Sequence, residues 1–137
     1  LKPVTFIKTD KVPKGRREFS ADIMRDVVQM MVKVIEPGGT ATRAAVANYH
    51  VAGKTGTAKK AISGGYADDR YQSVFAGIIP ASAPRLAMVV MIDEPQGEYY
   101  GGAVAAPVFA EVMAGAMRLL NIAPDDLPMT QMQVAHK

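Results

Sequence analysis

Two strongly apolar runs, at residues 73–79 and 86–92, constrain the fold of this 137-residue chain more than any other feature. Each run has the length of a β-strand, and only a short connection containing Pro80 and Pro84 separates them. Such a connection allows a hairpin but not a helical crossover, so the two strands are predicted to be antiparallel. The second run is apolar on both faces, which predicts a central strand covered on each side.

A helix is predicted before these strands. From Ser20 to Ile35 the apolar residues recur at spacings of three and four, which is typical of an amphipathic helix. Ser20 is the predicted N-cap, and Pro37-Gly38-Gly39 is the predicted stop. The methionines of this helix are interpreted as core residues. Residues 40–47 are predicted to form a short helical turn.

A second helix is predicted after the strands, from Pro107 to Leu120. Pro107 suits a first turn, and Asn121 is the predicted C-terminal cap. Its predicted buried side consists of Phe109, Val112, Met113, Ala116, Met117 and Leu120.

Three further segments have weaker patterns. Residues 3–8 are predicted to form a short entry strand. Residues 59–72 are charged and glycine-containing without apolar periodicity, which predicts an exposed loop. Residues 128–137 are interpreted as a flexible tail.

The stretch with the most chemical content is Lys54-Thr55-Gly56-Thr57, which is predicted to lie on a strand. Side chains alternate along a strand, so Thr55 and Thr57 share one face while Lys54 and Gly56 share the other. The two hydroxyls can bind a carboxylate on the open face of the strand. Gly56 allows another backbone to approach, and a free strand edge can add an extended peptide.

Two other interpretations of this stretch remain open at this point. A Lys-[Ser/Thr]-Gly triplet occurs by chance in roughly one chain in fifteen of this length, so Lys54 can be a solvated lysine beside a turn. Gly53-Lys54-Thr55 also imitates the end of a phosphate-binding loop. That motif requires glycine at position 48, where this chain has Asn48, so the phosphate-loop interpretation is disfavoured.

Composition excludes several classes of function. The chain has no cysteine, which excludes disulfides, thiolate metal sites and a cysteine nucleophile. His50 and His136 are too far apart in sequence to indicate a metal pair, so we predict no metal site and no cofactor. Scattered basic residues, a net charge of +3 and the lack of tryptophan argue against nucleic acid as a partner. No apolar run approaches 18 residues, so we predict no membrane-spanning segment.

The order of these elements and several separated motifs resemble one known family. The motifs include Ala52 to Lys60, Val90-Met91-Ile92-Asp93-Glu94-Pro95, Tyr99-Tyr100-Gly101-Gly102 and Ala106-Pro107-Val108-Phe109. Over residues 1–127 the chain resembles the C-terminal part of the transpeptidase domain of division-specific class B penicillin-binding proteins, the septal peptidoglycan D,D-transpeptidases. The resemblance implies an α+β fold of the β-lactamase/transpeptidase type, an antiparallel sheet flanked by helices, of which only the C-terminal portion is present.

The resemblance also implies roles for individual residues. Lys54 and Thr57 would be catalytic, with the ammonium group supplying positive potential and the backbone N–H of Thr57 forming one side of the oxyanion hole. Thr55, Gly56 and Thr57 would bind substrate, the threonines through its carboxylate. Tyr99 and Tyr100 would form an aromatic wall beside the ligand, although ordinary surface packing of these rings remains an alternative.

The chain departs from the family pattern in one respect. The family uses Ser-x-x-Lys, which carries the acylated serine, then Ser-x-Asn, then Lys-[Ser/Thr]-Gly. None of the four serines of this chain begins either of the first two motifs. The chain is therefore interpreted as lacking the nucleophile, so that alone it would be inactive. A fragment of a serine β-lactamase or D,D-carboxypeptidase, and a non-catalytic interaction module, remain as alternatives.

The resemblance further implies partners and a location. The expected partners are peptidoglycan stem peptides ending in D-Ala-D-Ala, β-lactams, the N-terminal part of the same domain, and cell-division proteins. The expected location is the periplasmic face of the bacterial inner membrane, with an anchor outside this chain.

Overall fold

A computed structural model describes residues 15–127, and the predicted strand at 3–8 and tail at 128–137 lie outside this range. In chain order the elements are helix α1 (Ala21–Val32), a 3₁₀ turn (Thr42–Ala44), strands β1 (Ala52–Ile62), β2 (Gly65–Ile79) and β3 (Leu86–Asp93), and helix α2 (Gly101–Leu119). The strands form one antiparallel sheet in the order β1-β2-β3. The predicted α+β class and the short turn within 40–47 are confirmed.

The two apolar runs pair as predicted but occupy different places in the sheet. They are antiparallel, with Phe75 of β2 opposite Val90 of β3. The central strand is β2, however, and β3 lies at an edge of the sheet that the described residues form. One face of β3 is uncovered, since Val89 is 66% and Met91 61% exposed. The prediction of a central, doubly covered β3 is therefore wrong for the described part of the chain.

The predicted loop at 59–72 is also wrong. β1 continues to Ile62 and β2 begins at Gly65, so the segment is a hairpin arm with a register shift between Lys59 and Ala61. This arm extends past the end of β3, whose pairing with β2 stops at Gln72. Ala67 is buried, but the side chains of the arm are mostly polar and carry no apolar alternation from which a strand could be predicted.

Helix α2 begins at Gly101 rather than Pro107, so the proline lies inside the helix. Its end agrees with the prediction. Asn121 has a φ of 52°, and the N–H groups of Asn121 and Ile122 donate to the carbonyls of Arg118 (3.2 Å) and Met117 (3.1 Å). These two bonds form a Schellman cap. By length and composition alone α2 is long and apolar enough to cross a membrane, a test that core helices also meet, and its buried residues belong to the core.

The core lies between α2 and one face of the sheet. Phe75 and Phe109 are both fully buried and meet edge to face, with ring centroids 4.9 Å apart. The buried side of α2 comprises Ala105, Ala106, Phe109, Met113 and Met117. Val112 and Leu120, which were predicted to be buried, are 50% and 55% exposed.

Helix α1 forms where it was predicted, with the Ser20 hydroxyl accepting the N–H of Ile23 at 3.3 Å. None of its residues is buried, and Ile23 and Met24 are 53% and 42% exposed. Its apolar side therefore contributes little to the core of the described residues, contrary to the prediction for its methionines.

The segment after α2 contacts the end of the sheet where β1 begins and where β2 is connected to β3. The Asp125 carboxylate accepts the backbone N–H of His50 at 2.8 Å and the hydroxyl of Ser82 at 2.6 Å. The Tyr49 hydroxyl donates to the carbonyl of Ile122 at 2.6 Å. These bonds connect the loop before β1, the β2–β3 connection and the chain that follows α2. His50 thus belongs to this connection through its backbone N–H. His136 lies outside the described residues.

Candidate active site

The predicted alternation along β1 is confirmed by the register of the sheet. Thr55 and Thr57 lie opposite Phe75 and Ser73, both of which are buried beneath α2, whereas Lys54 lies opposite Ala76 on the other face. The prediction that the threonines lie on an open face is therefore wrong for the sheet as a whole. They lie on the face that α2 covers, at its margin, where Thr57 is exposed and Thr55 is half-buried.

Thr57 is joined to the first turn of α2. The N–H of Gly101, the first residue of the helix, donates to the Thr57 hydroxyl oxygen at 3.1 Å. Tyr100, at the N-cap position, makes no side-chain capping bond, so Thr57 supplies a cap from a distant part of the chain. A hydroxyl that accepts one bond still has a hydrogen to donate. The positive end of the helix dipole adjoins this hydroxyl.

Two glycines allow the helix to approach this closely. A Cβ atom on Gly101 would lie 2.2 Å from the carbonyl oxygen of Val74 and 2.6 Å from that of Gly56. A Cβ atom on Gly102 would lie 1.9 Å from the carbonyl oxygen of Thr40. These neighbours are backbone atoms and cannot move aside independently. Glycine is therefore required at both positions for α2 to fit between the sheet and the turn that carries Thr40.

A third threonine adjoins the predicted pair. The hydroxyls of Thr40 and Thr55 are 3.3 Å apart. The Lys54 side chain bends towards Thr55. Its ammonium group donates to the carbonyl of Thr55 at 3.1 Å and to its hydroxyl at 3.4 Å. A cation and hydroxyl groups therefore come together although Lys54 starts on the opposite face. Thr40 was not predicted, because no pattern in the sequence links it to β1.

The other face beside Lys54 is an apolar groove of about 270 Å³. Its lining includes Met31 of α1, Ala76 and Ile78 of β2, and Ala87 and Val89 of β3. Lys54 is part of this lining and has its charged end at the threonines. The lysine thus connects the apolar groove on one face with the hydroxyl groups on the other.

The tyrosines form a cluster that is larger than predicted. Tyr71 of β2 stacks on Tyr99 with ring centroids 4.2 Å apart and planes at 11°, and Tyr99 contacts Tyr100 at 4.7 Å. Tyr100 is 58% exposed. A side-chain hydrogen bond with Tyr100 raises the pKa of Tyr99. Tyr71 was missed because its segment was interpreted as a loop, whereas the hairpin register places it beside Tyr99.

Ser73 holds the backbone below this cluster. It is fully buried, and its hydroxyl donates to the carbonyl of Tyr99. The carboxylate of Glu98 accepts the N–H groups of Tyr99 and Tyr100 at 3.1 and 3.3 Å. Side chains from β2 and from the loop itself therefore fix the segment that leads into α2. Ser73 was predicted only as part of an apolar strand.

A charged cluster fastens the hairpin arm to the end of β3. The Lys60 ammonium group lies 2.6 Å from the carboxylates of both Asp93 and Glu94. Its hydrogen bonds to Asp93 and Glu94 raise the pKa of Lys60, and the bond from Lys60 lowers the pKa of Asp93. The Lys60 and Asp93 side chains are both partly exposed to solvent, so their ion pair stabilises the arm only modestly.

Among the described residues, an edge strand thus carries Lys54 and two threonines, and the N-terminus of α2 lies beside them. The chain matches the family described as the penicillin binding protein transpeptidase domain over residues 1–114, and it belongs to that family. This match favours the transpeptidase interpretation over the β-lactamase and carboxypeptidase alternatives.

Individual relatives agree with the family assignment. The chain is 48% identical over 127 residues to "Peptidoglycan D,D-transpeptidase FtsI" of Escherichia coli strain K12, which covers 92% of this chain and 22% of that protein. It is 46% identical over 125 residues to "Probable peptidoglycan D,D-transpeptidase PenA" of Neisseria meningitidis, covering 90% and 22%. The chain thus spans about a fifth of the length of these relatives.

A solved structure shows the same fold. The transpeptidase domain of Burkholderia pseudomallei penicillin-binding protein 3, in its apo form, superposes with a TM-score of 0.80 and is 40% identical. The superposition covers 93% of this chain and 39% of that one.

Proposed function

We propose that this chain is the part of a peptidoglycan D,D-transpeptidase that supplies the Lys-Thr-Gly strand of the active site. The observation that carries the proposal is the meeting of the Lys54 ammonium group with the Thr55 hydroxyl on an edge strand, beside the Thr57 hydroxyl and the first N–H of α2. The family membership and the names of the relatives support it. The proposed substrates are stem peptides that end in D-Ala-D-Ala, and β-lactams that react in their place.

Thr55 and Thr57 would bind the terminal carboxylate of the substrate. The Thr57 hydroxyl accepts the N–H of Gly101, so its hydrogen is available for a carboxylate oxygen. Lys54 and the positive end of α2 both favour an anion at this place. Next to Gly56, the edge of β1 that has no partner strand among residues 15–127 would pair with the extended backbone of the peptide.

The proposed reaction is acyl transfer to a serine from the part of the domain that precedes this chain. The serine oxygen forms a bond to the carbonyl carbon of the penultimate D-Ala, the peptide C–N bond breaks, and the proton of the serine passes to the departing D-Ala amine. An amine of a second stem peptide then takes the acyl group and the serine regains its proton. Lys54 would stabilise the developing charge, and the backbone N–H of Thr57 would be one donor of the oxyanion hole.

Tyr99 and Tyr100 would form a wall for the ligand side chain. The exposed ring of Tyr100 and the stacked ring of Tyr99 present aromatic surface next to the first turn of α2. Such rings favour bulky ligands through contact area and stacking.

The proposed partners follow from the same assignment. The preceding part of the domain would cover the face of the sheet on which Val89 and Met91 are exposed, and it would bring the nucleophile to Lys54. We assign residues 1–127 to the transpeptidase domain and 128–137 to a tail. A role in septal wall synthesis with cell-division partners, at the periplasmic face of the inner membrane, completes the proposal.

The decisive experiment replaces Lys54 in the complete protein. We expect Lys54→Ala to slow acylation by a fluorescent penicillin by about two to three orders of magnitude, because loss of one charge-stabilising group typically has this effect. Lys59→Ala is the matched control, since Lys59 lies on the same strand and pairs only with the exposed Asp68 among the contacts described. Equal rates for wild type and Lys54→Ala would contradict the proposal.

A second measurement tests the assignment of the nucleophile. Intact mass analysis of this chain alone, after incubation with excess penicillin, is expected to show no covalent adduct. A stoichiometric adduct on one of its four serines would show that the nucleophile is present in this chain.

A further inference from the structure

Helix α2 has a gap in its hydrogen bonding close to the candidate site. In an α-helix the carbonyl of one residue accepts the N–H of the residue four positions later. For Ala103 that residue is Pro107, which has no N–H. The carbonyl of Ala103 therefore lacks its ordinary helical donor, within the first turns of the helix that contacts Thr57.

Arg43 supplies a donor to this carbonyl. Its guanidinium Nη1 donates to the Ala103 oxygen at 3.2 Å. Arg43 belongs to the 3₁₀ turn Thr42–Ala44, which packs against α2 through the small, fully buried side chains of Ala44, Ala105 and Ala106. The bond therefore joins two elements that are already in close contact.

Electrostatics gives a reason to regard this bond as specific. A cation near the N-terminus of a helix is disfavoured by the helix dipole, so general attraction does not bring Arg43 to the first turn of α2. A hydrogen bond from a charged donor to a carbonyl is stronger than one between neutral groups, which opposes that repulsion.

The residues just before this turn contact Thr55. Thr40, just before the 3₁₀ turn, has its hydroxyl 3.3 Å from that of Thr55, and its carbonyl oxygen would lie 1.9 Å from a Cβ atom on Gly102. A displacement of this turn relative to α2 would therefore alter the surroundings of Thr55. It would also alter the hydrogen bond by which the Thr57 hydroxyl caps the Gly101 N–H.

We propose that Arg43 is a positioning residue, which replaces the helical hydrogen bond lost at Pro107 and thereby holds the first turn of α2 and the Thr40 turn in place around Thr55 and Thr57. This inference rests on the proposed function of the threonines. It assigns to Arg43 no contact with the substrate, only an effect through Ala103.

The test is a double-mutant cycle in the complete protein, with the rate of penicillin acylation as one readout. Arg43→Met removes the donor and keeps much of the side-chain length, whereas Pro107→Ala restores an N–H to the helix. We expect Arg43→Met to slow acylation about threefold to tenfold when Pro107 is present, and less than twofold when residue 107 is alanine. Arg85→Met, an exposed arginine in the β2–β3 connection, is the matched control and is expected to change the rate less than twofold.

Amide hydrogen exchange is the second readout and does not depend on activity. In Arg43→Met, exchange at Gly101 and Ala103, whose N–H groups are hydrogen-bonded, is expected to accelerate while exchange near Met113 and Met117 stays unchanged, and Pro107→Ala should restore the slow exchange. A purely structural role of Arg43 would accelerate exchange along the whole helix and would overturn the proposal.

The remaining outcomes are equally decisive. An equal loss of acylation in both backgrounds, or no loss in either, would show that Arg43 does not act through the Ala103 carbonyl. If the wild-type protein is not acylated at all, the proposed function fails. The exchange at Gly101 would then still decide whether Arg43 fixes the helix.

Discussion

The two faces of the sheet differ in how completely the described residues cover them. On the face beneath α2, hereafter the closed face, Phe75 and Phe109 are fully buried. On the opposite face, hereafter the open face, Val89 is 66% and Met91 61% exposed. Helix α1, which contacts the open-face groove through Met31, has no buried residue.

This difference divides the candidate site. Thr55 and Thr57 lie on the closed face, where a hydrogen bond from α2 and the Thr40 turn hold them. Lys54 starts on the open face and is bonded only to Thr55 among the contacts described. We therefore expect the carboxylate-binding half of the site to depend on packing within this chain. The charge-stabilising half should depend more on the groups that the preceding part of the domain supplies.

The largest effect on stability is expected on the closed face. Phe109→Ala should lower the free energy of unfolding by about 3–5 kcal/mol, because it leaves a cavity beside the fully buried ring of Phe75. Denaturant unfolding of the complete protein measures it. Val112→Ala, on the exposed side of the same helix, should cost far less. A loss at Val112 equal to that at Phe109 would reveal a further layer over α2 and break the comparison.

The next effect separates binding from packing on the closed face. Thr55→Val keeps the shape of the side chain and removes its hydroxyl. We expect carboxylate-bearing β-lactams to bind about tenfold to a hundredfold more weakly, since a hydrogen bond to a charged group contributes roughly 1.5–3 kcal/mol. The thermal midpoint should change little. A parallel loss of affinity and thermal stability would make Thr55 a structural residue.

A smaller effect is expected at the tyrosines. Replacing Tyr99 and Tyr100 with alanine should lower acylation efficiency about tenfold for β-lactams with bulky side chains, and much less for compact ones, in line with aromatic-pair energies. Tyr66→Ala is the control, since this ring is 71% exposed near the tip of the hairpin. An equal loss for both drug classes would indicate collapse of the loop that Ser73 holds, and no loss for either would place the rings outside the site.

The smallest effect on stability is expected for the ion pairs of Lys60 with Asp93 and Glu94, which connect the hairpin arm to the end of β3. The pKa of Asp93 is lowered in the folded state, so its contribution to stability is present above the usual aspartate pKa and is lost as pH falls through the lowered value. The pKa of Lys60 is raised, so its contribution is lost only as pH rises through that raised value. Lys60→Met should therefore lower the thermal midpoint slightly at neutral pH.

The pH dependence distinguishes this pair from general surface charge. The difference between wild type and Lys60→Met should vanish in strong acid, where Asp93 is protonated in both the folded and the unfolded chain. Lys59→Met is the control, because the Asp68 partner of Lys59 is fully exposed. A difference that persists unchanged in acid would mean that Lys60 stabilises the arm through its aliphatic part.

Much of the site could be predicted because it follows from local geometry. The alternation of Thr55 and Thr57 against Lys54 is a property of any strand, and the Ser20 and Asn121 caps follow from side-chain and backbone preferences. The residues that were missed, Thr40, Tyr71, Ser73 and Arg43, join the site or its support through contacts with residues distant in the chain. No short-range pattern encodes such contacts.

The sequence by itself determined the class of fold, the antiparallel pairing of β2 and β3 and the identity of the Lys-Thr-Gly-Thr strand. Only the tertiary structure decided which face of that strand α2 covers, that α2 starts before Pro107, and that β3 is an edge strand in the described residues. The physical reason is the distance along the chain over which each interaction acts. Alternation, capping and hairpin length act between neighbours in the chain, whereas covering a face or replacing the hydrogen bond lost at a proline requires a partner from elsewhere in the fold.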